Sequence, residues 1–127
     1  MGTWGSGNLE SDGALDYVGE RSDELIEQVW GLLRSKTSTE ADEWEYDQLF
    51  VSLEVMLALE AADLCNGWSL PPTAEVEPVL QTWLAGWSDY FDGLAGPEFK
   101  AERRAVIEET FDRFRALCET YEKRRAD

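Results

Sequence analysis

Val76-Glu-Pro-Val-Leu-Gln-Thr-Trp-Leu-Ala-Gly-Trp87 places its apolar side chains at 76, 79, 80, 83, 84 and 87, the i, i+3, i+4, i+7, i+8, i+11 series of an amphipathic helix. At 3.6 residues per turn these positions share one face, so Trp83 and Trp87 are expected in a core. Thr73 can cap this helix, and Pro78 suits it only if it lies in the first turn. Asn66-Gly67 reads as the end of the preceding helix, and Pro71-Pro72 delays the next one. Gly93 and Gly96 close the segment, and Pro97 followed by Glu98 suits the first turn of a final helix.

The flanking segments repeat the pattern. A long helix is expected from about Glu40 to Cys65, with Thr39 and Asp42 in the spacing of a capping box. Leu49, Phe50, Leu53, Met56, Leu57 and Leu64 supply its apolar positions. Val51, Val55 and Leu59 widen that stripe until the helix is apolar on most sides, which suggests a central place in the bundle. Val106, Ile107, Phe111, Phe114, Leu117, Cys118 and Tyr121 are expected to form the buried face of the last helix, with Arg103, Arg104, Arg113 and Arg115 at its edges. Near the N-terminus, Ser11 caps a short helix carrying Leu15 and Val18. Gly19 weakens it, and Ser22 opens a second helix, with Leu25, Ile26, Val29, Trp30 and Leu33 inward, that runs to about Lys36. No segment shows sustained period-two alternation. The expectation is an all-α fold, one domain over residues 1–127, built as a bundle of four to five helices with a glycine-rich, extended arm at residues 1–10.

Composition narrows the function classes. The chain has 127 residues, no His, two Cys and a formal net charge of -16. Without His, the Ser/His and Cys/His catalytic pairs and the usual zinc ligand are absent, and carboxylates are the remaining chemical groups. Cys65 and Cys118 read as small core residues rather than a disulfide. The longest apolar run, Leu49 to Ala62, is interrupted by Ser52, Glu54 and Glu60 and is too short to cross a bilayer. No basic, apolar leader is recognisable, so the expected location is cytoplasmic. Residues 37–99 hold thirteen acids and no Lys or Arg, whereas residues 100–127 hold seven acids and eight bases. Such a surface repels nucleic acid and anionic lipid and favours a basic protein partner; the plainer role of the charge is solubility. The basic last helix is expected to lie against the basic-free middle.

Met1-Gly-Thr-Trp-Gly-Ser-Gly7, with Asn8-Leu-Glu-Ser-Asp12 and Ala14-Leu-Asp-Tyr17 behind it, resembles the opening of a bacterial family, domain-of-unknown-function family 4259. Trp4, Gly5, Gly7, Asp12, Ala14 and Asp16 are the matching positions; Tyr17 stands where the family has Trp as often. The resemblance implies a small helical bacterial protein and no defined activity. Read on their own, Gly5 and Gly7 permit tight turns that let Trp4 rest its indole on the helices, with Asp12 and Asp16 at the helix start, so these five residues are expected to form a structural anchor. The arm makes a poor phosphate cradle: it has no third glycine and no Lys, and Glu10, Asp12 and Asp16 surround it. Met1-Gly2 with Ser6 matches an acylation pattern but lacks a supporting polybasic patch.

Two functional readings emerge. In the first, exposed Trp44 and Trp68, with Glu43 and Asp47, serve as anchors for a basic protein, with no cofactor and no catalytic residue, as in an immunity or inhibitor module. In the second, Glu40-x-x-Glu43 and Glu60-x-x-Asp63 resemble the magnesium-binding carboxylate pairs of all-helical MazG-like nucleotide pyrophosphohydrolases. With both pairs on one helix they stand roughly 25 Å apart, too far to share an ion, and read more simply as solvated surface. Glu54 and Glu60 interrupt an apolar helix; each either faces solvent or, if buried, pairs with an Arg or with a Trp or Tyr donor.

Overall fold

The computed structural model describes residues 2–92 and 96–126; the helix stop expected at Gly93 falls outside them. Four helices account for the fold: α1 (Asp12–Leu33), α2 (Trp44–Ala61), α3 (Thr73–Phe91) and α4 (Pro97–Ala126), with 3₁₀ turns at Lys36–Thr39 and Gly67–Ser69. Cross-contacts fix their directions. Asn66 N–H, just past α2, donates to Ser22 Oγ near the middle of α1 at 2.7 Å. Arg103 donates to Tyr46 at 2.5 Å, Arg113 to Glu54 at 3.4 Å and Tyr121 to Glu60 at 3.1 Å, so α2 and α4 ascend together as parallel neighbours. Thr73 meets Glu122, Glu77 meets Arg115 and Ser88 meets Lys100, so α3 and α4 are antiparallel. The result is an up-down-up-down bundle.

The core is the inward stripe of each helix. Ile26, Val29 and Leu33 of α1 meet Leu49, Leu53 and Met56 of α2, Leu80, Trp83 and Trp87 of α3, and Ile107, Phe111 and Phe114 of α4. The α3 series therefore packs inward, with Val79 only partly covered. The cations of α4 do lie on the basic-free elements: Arg115 pairs with Glu77 at 2.5 Å, and Arg125 donates to the Trp68 and Leu70 carbonyls at 2.9 and 3.2 Å. As exposed pairs they orient α4 more than they stabilise it.

Several local expectations are corrected. Gly19 does not interrupt α1, which runs unbroken from its Ser11 cap, and Ser22 starts no helix but is buried with its hydroxyl facing Cys65 and Asn66. A glycine in a helix weakens it without breaking it when the flanking stripe is buried. α2 begins at Trp44 rather than Glu40, because Lys36–Thr39 forms a 3₁₀ turn in which the Thr39 hydroxyl donates to the Lys36 carbonyl at 2.7 Å instead of capping. It ends at Ala61 rather than Cys65. Asp63 takes φ 60°, Asp63 N–H donates to the Glu60 carbonyl (3.0 Å) and Leu64 N–H to the Leu59 carbonyl (2.7 Å), the paired bonds of a Schellman stop with Asp in the glycine position. Thr73 is the first residue of α3 rather than its cap, and Pro78 lies inside α3, tolerated on the exposed side of the helix. Val106 is 50% exposed rather than part of the α4 core face.

The strained Asp63 yields a stability prediction. Asp63→Gly removes the left-handed penalty of an L side chain, so unfolding free energy is expected to rise by about 0.5–1 kcal/mol in urea titration. A loss of stability would show that the side chain makes contacts that outweigh its backbone strain.

Candidate functional site

The four carboxylates of the magnesium reading do not come together. Glu40 and Glu43 precede α2, Glu60 stands in its last turn and Asp63 forms its stop, so most of the length of α2, roughly 25 Å from Glu43 to Glu60, separates the pairs. Among the described residues no group of three or more His, Cys, Asp or Glu side chains is placed to hold a metal ion. Glu60 is half-buried and accepts the Tyr121 hydroxyl at 3.1 Å; Glu54 is exposed beside Arg113. A hollow of about 580 Å³ between α1 and the end of α2 does carry Asp16, Glu20, Asp23 and Asp63, without bringing them within reach of one cation.

Both thiols and the Tyr121 phenol are held in their neutral forms. Burial pushes the Cys118 thiol up to about 12 and raises Cys65 as well, so neither is an activated thiolate. Burial first, and then its hydrogen bond to Glu60, raises the Tyr121 phenol above its ordinary value near 10. The folded state therefore keeps this proton where the unfolded chain releases it. The associated stability is complete below about pH 10 and is lost as the pH climbs beyond it. Tyr121→Phe is expected to flatten that alkaline decline in urea titrations between pH 8 and 11; an unchanged slope would remove Tyr121 as its source.

Two surfaces bring apolar side chains to solvent. The first is the outer face of α2. Trp44, Asp47, Val51, Glu54, Val55 and Ala58 follow helical spacing and all are exposed, Trp44 by 70%, Val51 by 62% and Val55 by 46%. This corrects the expected central position of α2: Leu49, Leu53 and Met56 face the core, while the opposite apolar side has no helix over it. Glu43 and Asp47 border Trp44, as the sequence places them. Trp68, 55% exposed, lies beyond the other end of α2 in a T-shaped pair with Tyr121, ring centroids 6.0 Å apart, so it does not share a surface with Trp44.

The second surface, missed in the sequence, is a groove of about 830 Å³ between the end of α1, the 3₁₀ turn Lys36–Thr39 and α3. Its floor is Leu33, Val79, Trp83 and Gly86, and its rim carries Arg34, Lys36, Glu40 and Asp89. Ser38 holds the turn in place: its hydroxyl accepts the Trp83 indole N–H at 2.9 Å and lies 2.5 and 2.8 Å from the Leu32 and Ser35 carbonyls. Tyr90 donates to Asp42, which pushes its phenol up to about 12. A cue was present in Thr37-Ser38-Thr39, whose hydroxyls can fold a short turn back on itself.

The N-terminal arm, expected as an anchor, folds back on itself. Its ends meet: Trp4 N–H donates to the Glu10 carbonyl at 3.1 Å and Asp12 N–H to the Gly2 carbonyl at 2.5 Å. Trp4 is 57% exposed. Gly5 and Gly7 are matched to the loop: a Cβ at either would meet the Glu10 side chain. Asp12 and Asp16 are exposed on the first turns of α1, where Asp12 suits the helix dipole.

Comparison of the chain with protein-family models, with curated proteins and with solved structures finds no match. No helix among the described residues is long and apolar enough to cross a membrane.

Proposed function

We propose that this chain is a non-catalytic interaction protein whose α2 face docks a basic protein surface, in the manner of an immunity or inhibitor module. The carrying observation is the uncovered apolar row Trp44, Val51 and Val55, bordered by Glu43, Asp47 and Glu54, in a stretch from residue 37 to residue 99 that has no Lys or Arg. A large aromatic side chain and two valines left in water are unfavourable for the free protein and become favourable under a partner. The acidic border selects a partner with Lys or Arg flanking an apolar stripe, such as an amphipathic helix, and its field accelerates encounter at low salt. The same field disfavours nucleic acid and anionic membrane. A bacterial source and kinship with family 4259, which rest on the likeness of the arm, belong to this proposal, as does a cytoplasmic location.

Val51→Asp with Val55→Asp tests it by affinity capture from the native cells. The wild-type chain is expected to retain a basic protein, more strongly at low than at moderate salt. The double variant should lose it at least tenfold while its thermal midpoint moves only a few degrees, since both valines already face water. Equal retention by the variant, or no retained protein at low salt, overturns the proposal.

A further inference from the structure

We infer that the groove between the Lys36–Thr39 turn and α3 is a separate docking site for a short, extended peptide segment with an apolar centre, a basic residue at one end and an acidic residue at the other. This does not depend on the role of α2.

The groove is charge-polarised. Ser38 meets Trp83, Thr39 lies against Gly86 and Asp42 meets Tyr90, so the chain after the turn ascends in step with α3. Lys36, two residues before Ser38, therefore stands towards the Pro78 end, and Glu40 and Asp89 towards the Tyr90 end; Arg34, the cap of α1, lines the same groove. Lys36, Glu40 and Asp89 enter no ion pair among the described residues, which leaves them free to take charges from a ligand, whereas the Arg34 guanidinium donates to the Trp30 carbonyl at 3.2 Å and lies 5.3 Å over the Trp30 ring. Between the two ends the floor is apolar, and the volume, about 830 Å³, falls within the range of roughly 300–1,000 Å³ for ligand pockets. From Pro78 to Tyr90 the helix rises about 18 Å, the span of about five extended residues. A ligand with one sign of charge would meet repulsion at one end; a segment carrying both signs meets none.

Gly86 supplies a second observation. It sits inside α3, where glycine weakens a helix relative to alanine. Packing does not require it: an added Cβ would approach Thr39 no closer than 3.4 Å, an ordinary contact. Its effect is on the groove, whose floor it keeps low at mid-length.

The test uses four capped pentapeptides with a Leu-Ala-Leu centre, ending in arginine and glutamate, two arginines, two glutamates or two glutamines. Each is titrated into the full chain while the Trp83 indole and Gly86 amide are followed by NMR. The mixed-charge peptide should bind at least tenfold more tightly than the other three and move those signals while leaving the Trp44 and Trp68 indoles in place. Arg34→Glu with Lys36→Glu, both surface changes, should transfer the preference to the two-arginine peptide. Gly86→Leu should weaken the mixed peptide at least tenfold with a thermal midpoint equal to or above wild type. Equal affinity for the uncharged peptide, no binding by any peptide, or unaltered binding by the Gly86 variant overturns the inference. So does concentration-dependent self-association that Gly86→Leu abolishes, which would make the occupant a second copy of the chain.

Discussion

Trp83→Ala is expected to remove about 3–5 kcal/mol of folding free energy and lower the thermal midpoint by roughly 10–20 °C. Trp83 is 2% exposed and lies at the meeting point of three helices. Its ring centroid is 5.4 Å from Phe50 of α2 and 5.2 Å from Phe111 of α4, both edge-on, and 6.4 Å from Tyr46 and from Trp87 in stacked arrangements. Truncation leaves a cavity bounded by rings that cannot all move inward, and the cost grows with the volume left empty. It also takes the indole donor from Ser38, a fully buried hydroxyl that fixes the 3₁₀ turn. Trp83→Phe separates the two effects: it keeps most of the ring and loses the donor, and should cost about 1–3 kcal/mol. Urea denaturation of both variants checks this; a loss below 1 kcal/mol for the alanine variant would place Trp83 outside a packed core.

Gly67→Val should be nearly as damaging, at about 3 kcal/mol or more, with Gly67→Ala at about 1–3 kcal/mol. Gly67 is buried, and a Cβ there would fall within the Tyr121 ring rather than beside a flexible side chain. That ring has nowhere to go. Its hydroxyl lies 3.1 Å from both Glu60 and the Cys65 carbonyl, the Trp68 ring packs perpendicular to it, and the Arg124 guanidinium sits 4.7 Å over its face. If the clash is the cause, Tyr121→Ala in the Gly67→Ala background should restore part of the loss, giving a coupling energy of opposite sign to the single changes. Additive losses in that double-mutant cycle would refute the contact.

The fold was legible where period and burial agree. The α3 series, the Ser11 cap, Pro97 at the start of α4 and the lack of alternating segments suffice for an all-α bundle. Helix ends were less legible because a backbone device replaced the expected residue: Asp63 takes the left-handed stop that Asn66-Gly67 advertises, and hydroxyl-to-carbonyl bonds turn Thr37-Ser38-Thr39 into a 3₁₀ turn instead of a cap. For the candidate site, the exposure of Trp44 and Trp68 could be read from their polar neighbours. The exposure of Val51 and Val55 could not: composition makes α2 apolar on most sides, and only the positions of the other three helices decide which side is left open. The groove escapes sequence reading for a related reason, since Lys36, Glu40 and Asp89 come to line one groove only when the turn folds onto α3.

The most direct measurement of the central claim, that the outer face of α2 is a docking surface for a basic protein, is photocrosslinking in the native cells with a photoreactive phenylalanine analogue in place of Val51. The account predicts one dominant adduct, with a protein whose crosslinked segment is rich in Lys and Arg, which disappears when Trp44→Ala and Asp47→Lys are added. Adducts that are absent, that join two copies of this chain, or that are equally abundant with the analogue in place of the exposed Glu102 of α4 would contradict it.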